Sequence, residues 1–201
     1  QLRPGTDAAL ALGFIHVILK ENLWDKSFVE KWTNAPFLVM EKDAGPLLLR
    51  ESHIRTGGSD DNFVVHDAAS GDFVVWDSGE QSYEQPDTKP SLTGTFSMTL
   101  ADGSSVTVKT VWTRYQENAA DYTPEKVSEI TWVPADKIVQ GARMYAKSAP
   151  SALHWGLPID TIPATIPTSQ AINHLWCLTG NLDVPGGNAI ARYACDVVTY
   201  P

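Results

Sequence analysis

The apolar positions change their period twice along the chain. From Ala8 to Glu21 they fall on nearly every face, in the run Ala8-Ala-Leu-Ala-Leu-Gly-Phe-Ile-His-Val-Ile-Leu19, which predicts a buried helix rather than an amphipathic surface one. Asp25 stands where it can cap a short second helix through Trp32. After Phe37 the pattern shortens to β-rich runs with turn residues between them. Phe63-Val-Val-His66 and Phe73-Val-Val-Trp76 flank Ala68-Ala-Ser-Gly71 and predict one hairpin; Thr95–Leu100 and Val106–Trp112 flank Asp102-Gly103 and predict another. Helical spacing returns at Thr123-Pro124-Glu125, a cap followed by proline at the first helical position and an acid in the first turn. Pro134 opens a helix to about Lys147, with Ile138, Ala142 and Tyr145 along one face. Ser151–Trp155 predicts a short apolar strand, and Thr168 a cap for a helix that ends before Gly180. The two ends therefore read as α/β and the middle as β.

The 201 residues suffice for one domain, or one domain with a sizeable insert, and for a real core. A hydrophobic fraction of 43% and seven Trp argue against disorder. The net charge of −9 speaks against a nucleic-acid partner, because phosphate binding relies on clustered Lys and Arg. Ala8–Leu19 is too short to span a membrane. Cys177 and Cys195 lack metal-ligand spacing and read as buried thiols. From Gly57 to Asp87 the chain holds eight acids and no Lys or Arg, which makes a solvated face or a surface for a basic partner subunit.

Candidate chemistry concentrates in two places. Arg3-Pro4-Gly5-Thr6-Asp7 opens directly onto the first apolar run, so a carboxylate stands at a helix N-terminus behind a sharp turn. Guanine offers two parallel donors on its Watson–Crick edge, and a fixed carboxylate accepts both; adenine has no such pair. The plainer alternative is that Thr6 or Asp7 only caps the helix. The second place is Ala152 to Gly180, where strand, loop and helix create the crevice in which open α/β sheets collect ligands. His154-Trp155-Gly156 would line it, or Trp155 would be core and the prolines to Pro167 would only stiffen a loop. Elsewhere the chain has no Gly-x-Gly-x-x-Gly, Walker loop, His-Glu-x-x-His or Gly-x-Ser-x-Gly. His16 and His174 lie in apolar helical runs and read as core histidines, while His53 and His66 sit beside Asp60, Asp61 and Asp67 without a spacing that demands a site. Asp183 to Asn188 reads as a tight turn, with a phosphate-approach loop as the alternative.

In order along the chain, Arg3 to Trp32, Trp132-Val-Pro-Ala-Asp-Lys-Ile-Val-Gln-Gly-Ala-Arg-Met-Tyr-Ala146, Ala152-Leu-His-Trp-Gly156 and Ala171-Ile-Asn-His-Leu-Trp-Cys-Leu-Thr-Gly-Asn-Leu-Asp-Val-Pro-Gly-Gly-Asn188 closely resemble the large catalytic subunit of the molybdopterin oxidoreductase family, the dimethyl sulfoxide reductase and formate dehydrogenase group. The resemblance covers well over half the chain. Asn34-Ala-Pro-Phe-Leu-Val39, at the start of the intervening segment, looks like the acetylene hydratase and transhydroxylase branch. The resemblance implies a Rossmann-like α/β sheet flanked by helices in 1–34 and 122–201, with 35–121 as a β-rich insertion of hairpins. It implies a bis-molybdopterin-guanine-dinucleotide cofactor with molybdenum or tungsten, contacted by Pro4, Gly5, Thr6 and Asp7 at one guanine and by His154, Trp155, Gly156 and Gln170 near the pterin. The family's N-terminal iron–sulfur cysteines, its Ser, Cys or selenocysteine metal ligand and its C-terminal pterin-binding domain are not in these residues. The expectation is thus a piece of a longer enzyme, silent alone, without catalytic or metal-ligating residues of its own, whose parent carries an iron–sulfur cluster, takes a small-molecule substrate and docks an electron-transfer subunit. Periplasm and cytoplasm both stay open as compartments. So do a non-redox hydratase or transhydroxylase chemistry and, from a different class, a non-enzymatic interaction module that works through the acidic β insert.

Overall fold

The first helix, α1 (Asp7–Lys20), is nearly all apolar because it touches other helices on several sides. The computed structural model describes residues 1–42, 45–154, 156–162 and 164–189. They divide into two compact units, Gln1–Phe28 with Tyr122–Pro201, and Val29–Asp121.

In the first unit α1 packs against α5 (Pro124–Thr131), α6 (Ala135–Lys147) and α8 (Thr165–Leu178), and a short α7 (Leu157–Asp160) packs against α8. Ile15 and Ile18 are fully buried, as is Ile138 of α6. Gly13 allows a close approach: a Cβ there would lie 3.0–3.1 Å from both methyls of Val127 on α5. Thr123 caps α5 by accepting from the Lys126 N–H, with Pro124 in the first turn, as the local sequence predicts. A forked ion pair joins Arg143 of α6 to Glu21 at the end of α1, with N–O distances of 2.7–3.1 Å, and holds the Glu21 carboxyl below its usual range. Asp25 accepts from the Phe28 N–H at 2.8 Å and so caps α2 (Lys26–Trp32), which leads into the second unit.

The second unit is built on β1 (Leu38–Lys42), β2 (Gly45–Leu48), β3 (Phe63–His66), β4 (Phe73–Asp77), β5 (Ser82–Tyr83), β6 (Thr95–Thr99) and β7 (Ser105–Thr110), with the one-turn helix α3 (Glu51–Ile54) between β2 and β3. These strands form two antiparallel sheets, β2-β1-β7-β6 and β3-β4-β5. Both predicted hairpins are present. In the second, the Asp102 carboxylate accepts from the Ser104 N–H and hydroxyl, which fixes the turn. Alternation puts Leu38, Met40, Val64, Met98 and Val108 into a common core with Leu49. The chain leaves β7 straight into α4 (Val111–Ala120), a helix that the strand-like pattern through Trp112 did not predict. The switch occurs at Thr110, whose buried hydroxyl accepts from the Thr113 N–H at 3.1 Å and caps the helix.

The expected mixture of helices and strands is therefore present, and every named strand among the described residues lies between Leu38 and Thr110. Two local expectations are corrected. Ser151–His154 carries no strand ladder; side-chain amides satisfy its backbone instead, as described below. Thr168 is not a cap. α8 starts earlier, at Thr165, because Pro167 is tolerated in a first helical turn, and Thr168 is buried inside the helix.

Candidate functional site

Pro4 and Gly5 form a turn in which Gly5 has φ +79°. The Arg3 N–H donates to the Thr131 carbonyl at 2.9 Å, and the Arg3 guanidinium lies over the Trp132 ring, 5.2 Å from its centroid. The turn is thereby tied to the end of α5. The Thr6 hydroxyl donates back to the Arg3 carbonyl at 2.7 Å and accepts no N–H of the first turn, so α1 starts without a side-chain cap. Asp7 follows as the first residue of the helix, where the unpaired N–H groups concentrate positive potential. The plain capping role for Thr6 is thus absent. Among the described residues, no Lys or Arg forms an ion pair with Asp7.

Asp7 lines a cavity of about 150 Å³ together with Leu10, Ala11 and Phe14 of α1, Leu153 and His154, Ile159 of α7, and Ile172 and Leu175 of α8. The walls are almost wholly apolar and the two polar side chains are Asp7 and His154. A cavity of this volume accommodates about one aromatic ring system.

What presents His154 is a set of amides far along the chain. Asn188 Nδ2 donates to the Leu153 carbonyl at 2.7 Å while its Oδ1 accepts from the Leu153 N–H at 2.9 Å, so one side chain pairs both polar groups of one residue. Asn181 Oδ1 accepts from the Ser151 N–H at 3.0 Å, and Asn181 Nδ2 donates to the Thr179 hydroxyl at 2.8 Å. The two asparagines are joined through a turn: the Asn188 N–H donates to the Asn181 carbonyl at 2.8 Å, and the Asp183 N–H to the Asn188 carbonyl at 2.8 Å. Gly187 is required in it, since a Cβ there would lie 2.4 Å from the Asn181 oxygen. The segment around Pro185-Gly186-Gly187 is therefore a backbone turn that clamps 151–153. Asn181 and Asn188 escaped the site prediction; the only local signal was the turn chemistry around them.

The structure brings Asp7 and His154 into one cavity, although the sequence had suggested separate ends of a ligand for them. Pro4, Gly5 and Thr6 build the turn behind Asp7. Gly156 is exposed just before α7, and its carbonyl accepts from the Ile159 N–H at 3.1 Å. Gln170 is exposed on α8 and is not among the residues lining the cavity. Trp155 lies outside the described residues, as does Cys195. His174, expected in the core, is exposed on α8, while partial burial pushes the Cys177 thiol up, so that it favours the neutral form. The insert histidines have structural partners: His53 Nδ1 accepts from the Arg50 N–H at 3.0 Å, and His66 stacks on Phe96 with its Nδ1 2.9 Å from the Ser91 hydroxyl. Among the described residues no group of three His, Cys, Asp or Glu is placed to share a metal ion. No helix among them is long and apolar enough to cross a membrane.

No protein-family model matches the chain. Individual proteins do. Dopamine dehydroxylase of Eggerthella lenta is 31% identical over 93% of this chain and 26% of its own length. Perchlorate reductase subunit alpha of Dechloromonas aromatica is 32% identical over 92% of this chain and 22% of its own. The chain thus spans about a quarter of the length of the curated relatives it matches. Among solved structures, acetylene hydratase from Pelobacter acetylenicus aligns over 89% of this chain and 14% of its own, at 22% identity and a TM-score of 0.47.

Proposed function

We propose, from the premise that the chain belongs to the molybdopterin oxidoreductase family of large subunits, that the Arg3–Asp7 turn and the cavity beside it hold one guanosine end of the cofactor. Members of this family use a molybdopterin cofactor with molybdenum. The finer reading is a bis-guanine-dinucleotide form, with molybdenum or tungsten, in an enzyme whose iron–sulfur cluster lies outside these residues. The observation that carries it is Asp7: a carboxylate that no Lys or Arg among the described residues pairs with, at an uncapped helix start, on the edge of an apolar cavity of about the size of one ring system.

These residues fit the group. Asp7 would accept the ring N–H and the exocyclic amine of guanine in a charge-assisted pair. Leu10, Phe14, Ile172 and Leu175 would exclude water from that pair and strengthen it. His154 would supply the second polar contact in the same cavity, and Gly156, Trp155 and Gln170 would border the ligand further along. When bound, the cofactor supplies the redox chemistry, while this chain holds and orients it. The enzyme is an oxidoreductase in this reading, and its relatives named as alpha subunits support an assembly with an electron-transfer subunit. Domain limits of 1–34 with 122–201 for the cofactor-binding part, and 35–121 for the insertion, belong to the same proposal.

The test is on the native protein. Metal analysis with release of guanine nucleotide after denaturation should give molybdenum or tungsten and about two nucleotides per chain. Asp7→Asn should lose most of one nucleotide, because an amide offers one acceptor where guanine needs two. Unchanged nucleotide content in that variant sinks the assignment of Asp7. Folded protein with neither metal nor nucleotide would instead favour a scaffold role.

A further inference from the structure

The second unit carries a cleft of its own, and its walls follow from strand register. β3, β4 and β5 place Phe63 opposite Trp76 and Trp76 opposite Tyr83, so three aromatic residues occupy one row across the sheet. An isolated bridge between Phe37 and Val65 lays Phe37 against that row. The rings hold one another. Phe37 stacks on Phe63 at 4.6 Å between centroids, Trp76 lies 6.3 Å from Phe37, and Tyr83 meets Trp76 edge to face at 4.8 Å. Phe63 is fixed further by the Arg50 guanidinium 4.0 Å from its centroid.

Phe37, Trp76, Tyr83 and Pro90 line a cleft of about 480 Å³, within the range of small-molecule sites. Lys31 and Lys89 line it too, and among the described residues neither ammonium is paired with a carboxylate. Glu30 also contributes, so the cleft carries a net positive charge beside a segment that is otherwise strongly acidic. An aromatic wall alone would attract cations through the ring faces. Two ammonium groups at the same wall oppose that and select for an anion, while the rings select for a flat face.

We propose that this cleft is a binding site for a small anionic aromatic molecule, an arenecarboxylate or phenolate, with its ring against Trp76 and Phe37 and its charge between Lys31 and Lys89. The site is distinct from the proposed guanosine cavity, all of whose lining residues belong to the first unit. The wall is preorganised, so little ordering opposes binding.

Calorimetric titration of the native protein with 2-naphthoate, 2-naphthylmethylammonium and cyclohexanecarboxylate tests this. The expected result is a dissociation constant below about 1 mM for 2-naphthoate, with each of the other two at least about tenfold weaker. Trp76→Leu should weaken 2-naphthoate by about fivefold to tenfold. Because that change also alters the sheet, the exposed pair Lys31→Gln/Lys89→Gln is measured as well, and should weaken binding by about tenfold and abolish its salt dependence. Equal or tighter binding of the ammonium compound, full retention of affinity in the double lysine variant, or no 2-naphthoate binding at all would overturn the proposal. Tighter binding of an oligoglutamate decapeptide than of 2-naphthoate would also overturn it, in favour of a groove for acidic peptides.

Discussion

Removing the Asn188 side chain should loosen the one segment that carries His154. Asn188 bonds both the N–H and the carbonyl of Leu153, at 2.9 and 2.7 Å, and Leu153 is partly buried. A net hydrogen bond contributes about 1 kcal/mol, and a buried group left without a partner costs about 1–3 kcal/mol. Water reaches a partly buried peptide to some extent, so Asn188→Ala should destabilise by about 2 kcal/mol. In urea unfolding this is a fall in midpoint of roughly 1 M at unchanged slope, for a slope of about 2 kcal/mol/M. Asn188→Asp should not rescue: it keeps an acceptor for the Leu153 N–H but sets a carboxylate against the Leu153 carbonyl. Hydrogen exchange supplies the local readout, since the Leu153 amide should lose protection more than amides of β6 and β7. A midpoint within experimental error of the parent, with Leu153 still protected, would refute the idea that this amide pair holds the segment.

Two further outcomes are expected. The Asp67 carboxylate accepts from the backbone N–H groups of Lys89, Ser70 and Ala69, at 2.8–3.3 Å, and these hold its pKa down to about 2. A folded pKa below the unfolded one stabilises above the unfolded value of about 3.9, so this contribution should be complete at neutral pH and fade as pH falls from about 4 towards 2; melting curves of Asp67→Asn should lack that part of the acid dependence. Thr110→Val keeps the buried shape but removes the α4 cap, and chemical denaturation should report a loss of about 1–2 kcal/mol.

What was legible in the sequence was local. Thr123-Pro124 announces α5 because cap and proline act on adjacent residues, and the Asp102-Gly103 turn announces its hairpin for the same reason. Asp7 could be singled out because its turn and its helix are contiguous. By contrast, the apolar run Ser151–Trp155 looked like a strand, yet the groups that satisfy its first residues are side chains of Asn181 and Asn188, which no window around residue 151 contains. The β7 pattern concealed α4 because alternation continues through Trp112, while the change of structure depends on one hydroxyl. The shared cavity of Asp7 and His154 was invisible for a related reason: helix packing, not spacing, brings them together.

The central position of α1 has a consequence for the order of folding. Its partners α5, α6 and α8 all follow a long intervening stretch of chain, so the contacts that cover it are of high sequence separation and form late. During synthesis the apolar helix leaves the ribosome well before the helices that cover it, whereas the strands of 29–121 find all their partners within that one stretch, the most distant pairing being β1 with β7. A ribosome-stalled chain ending after Asp121 is therefore expected to resist limited proteolysis across the hairpins while residues 7–20 are cut or held by a chaperone. Protection of those residues at that stage would show that α1 finds another cover first.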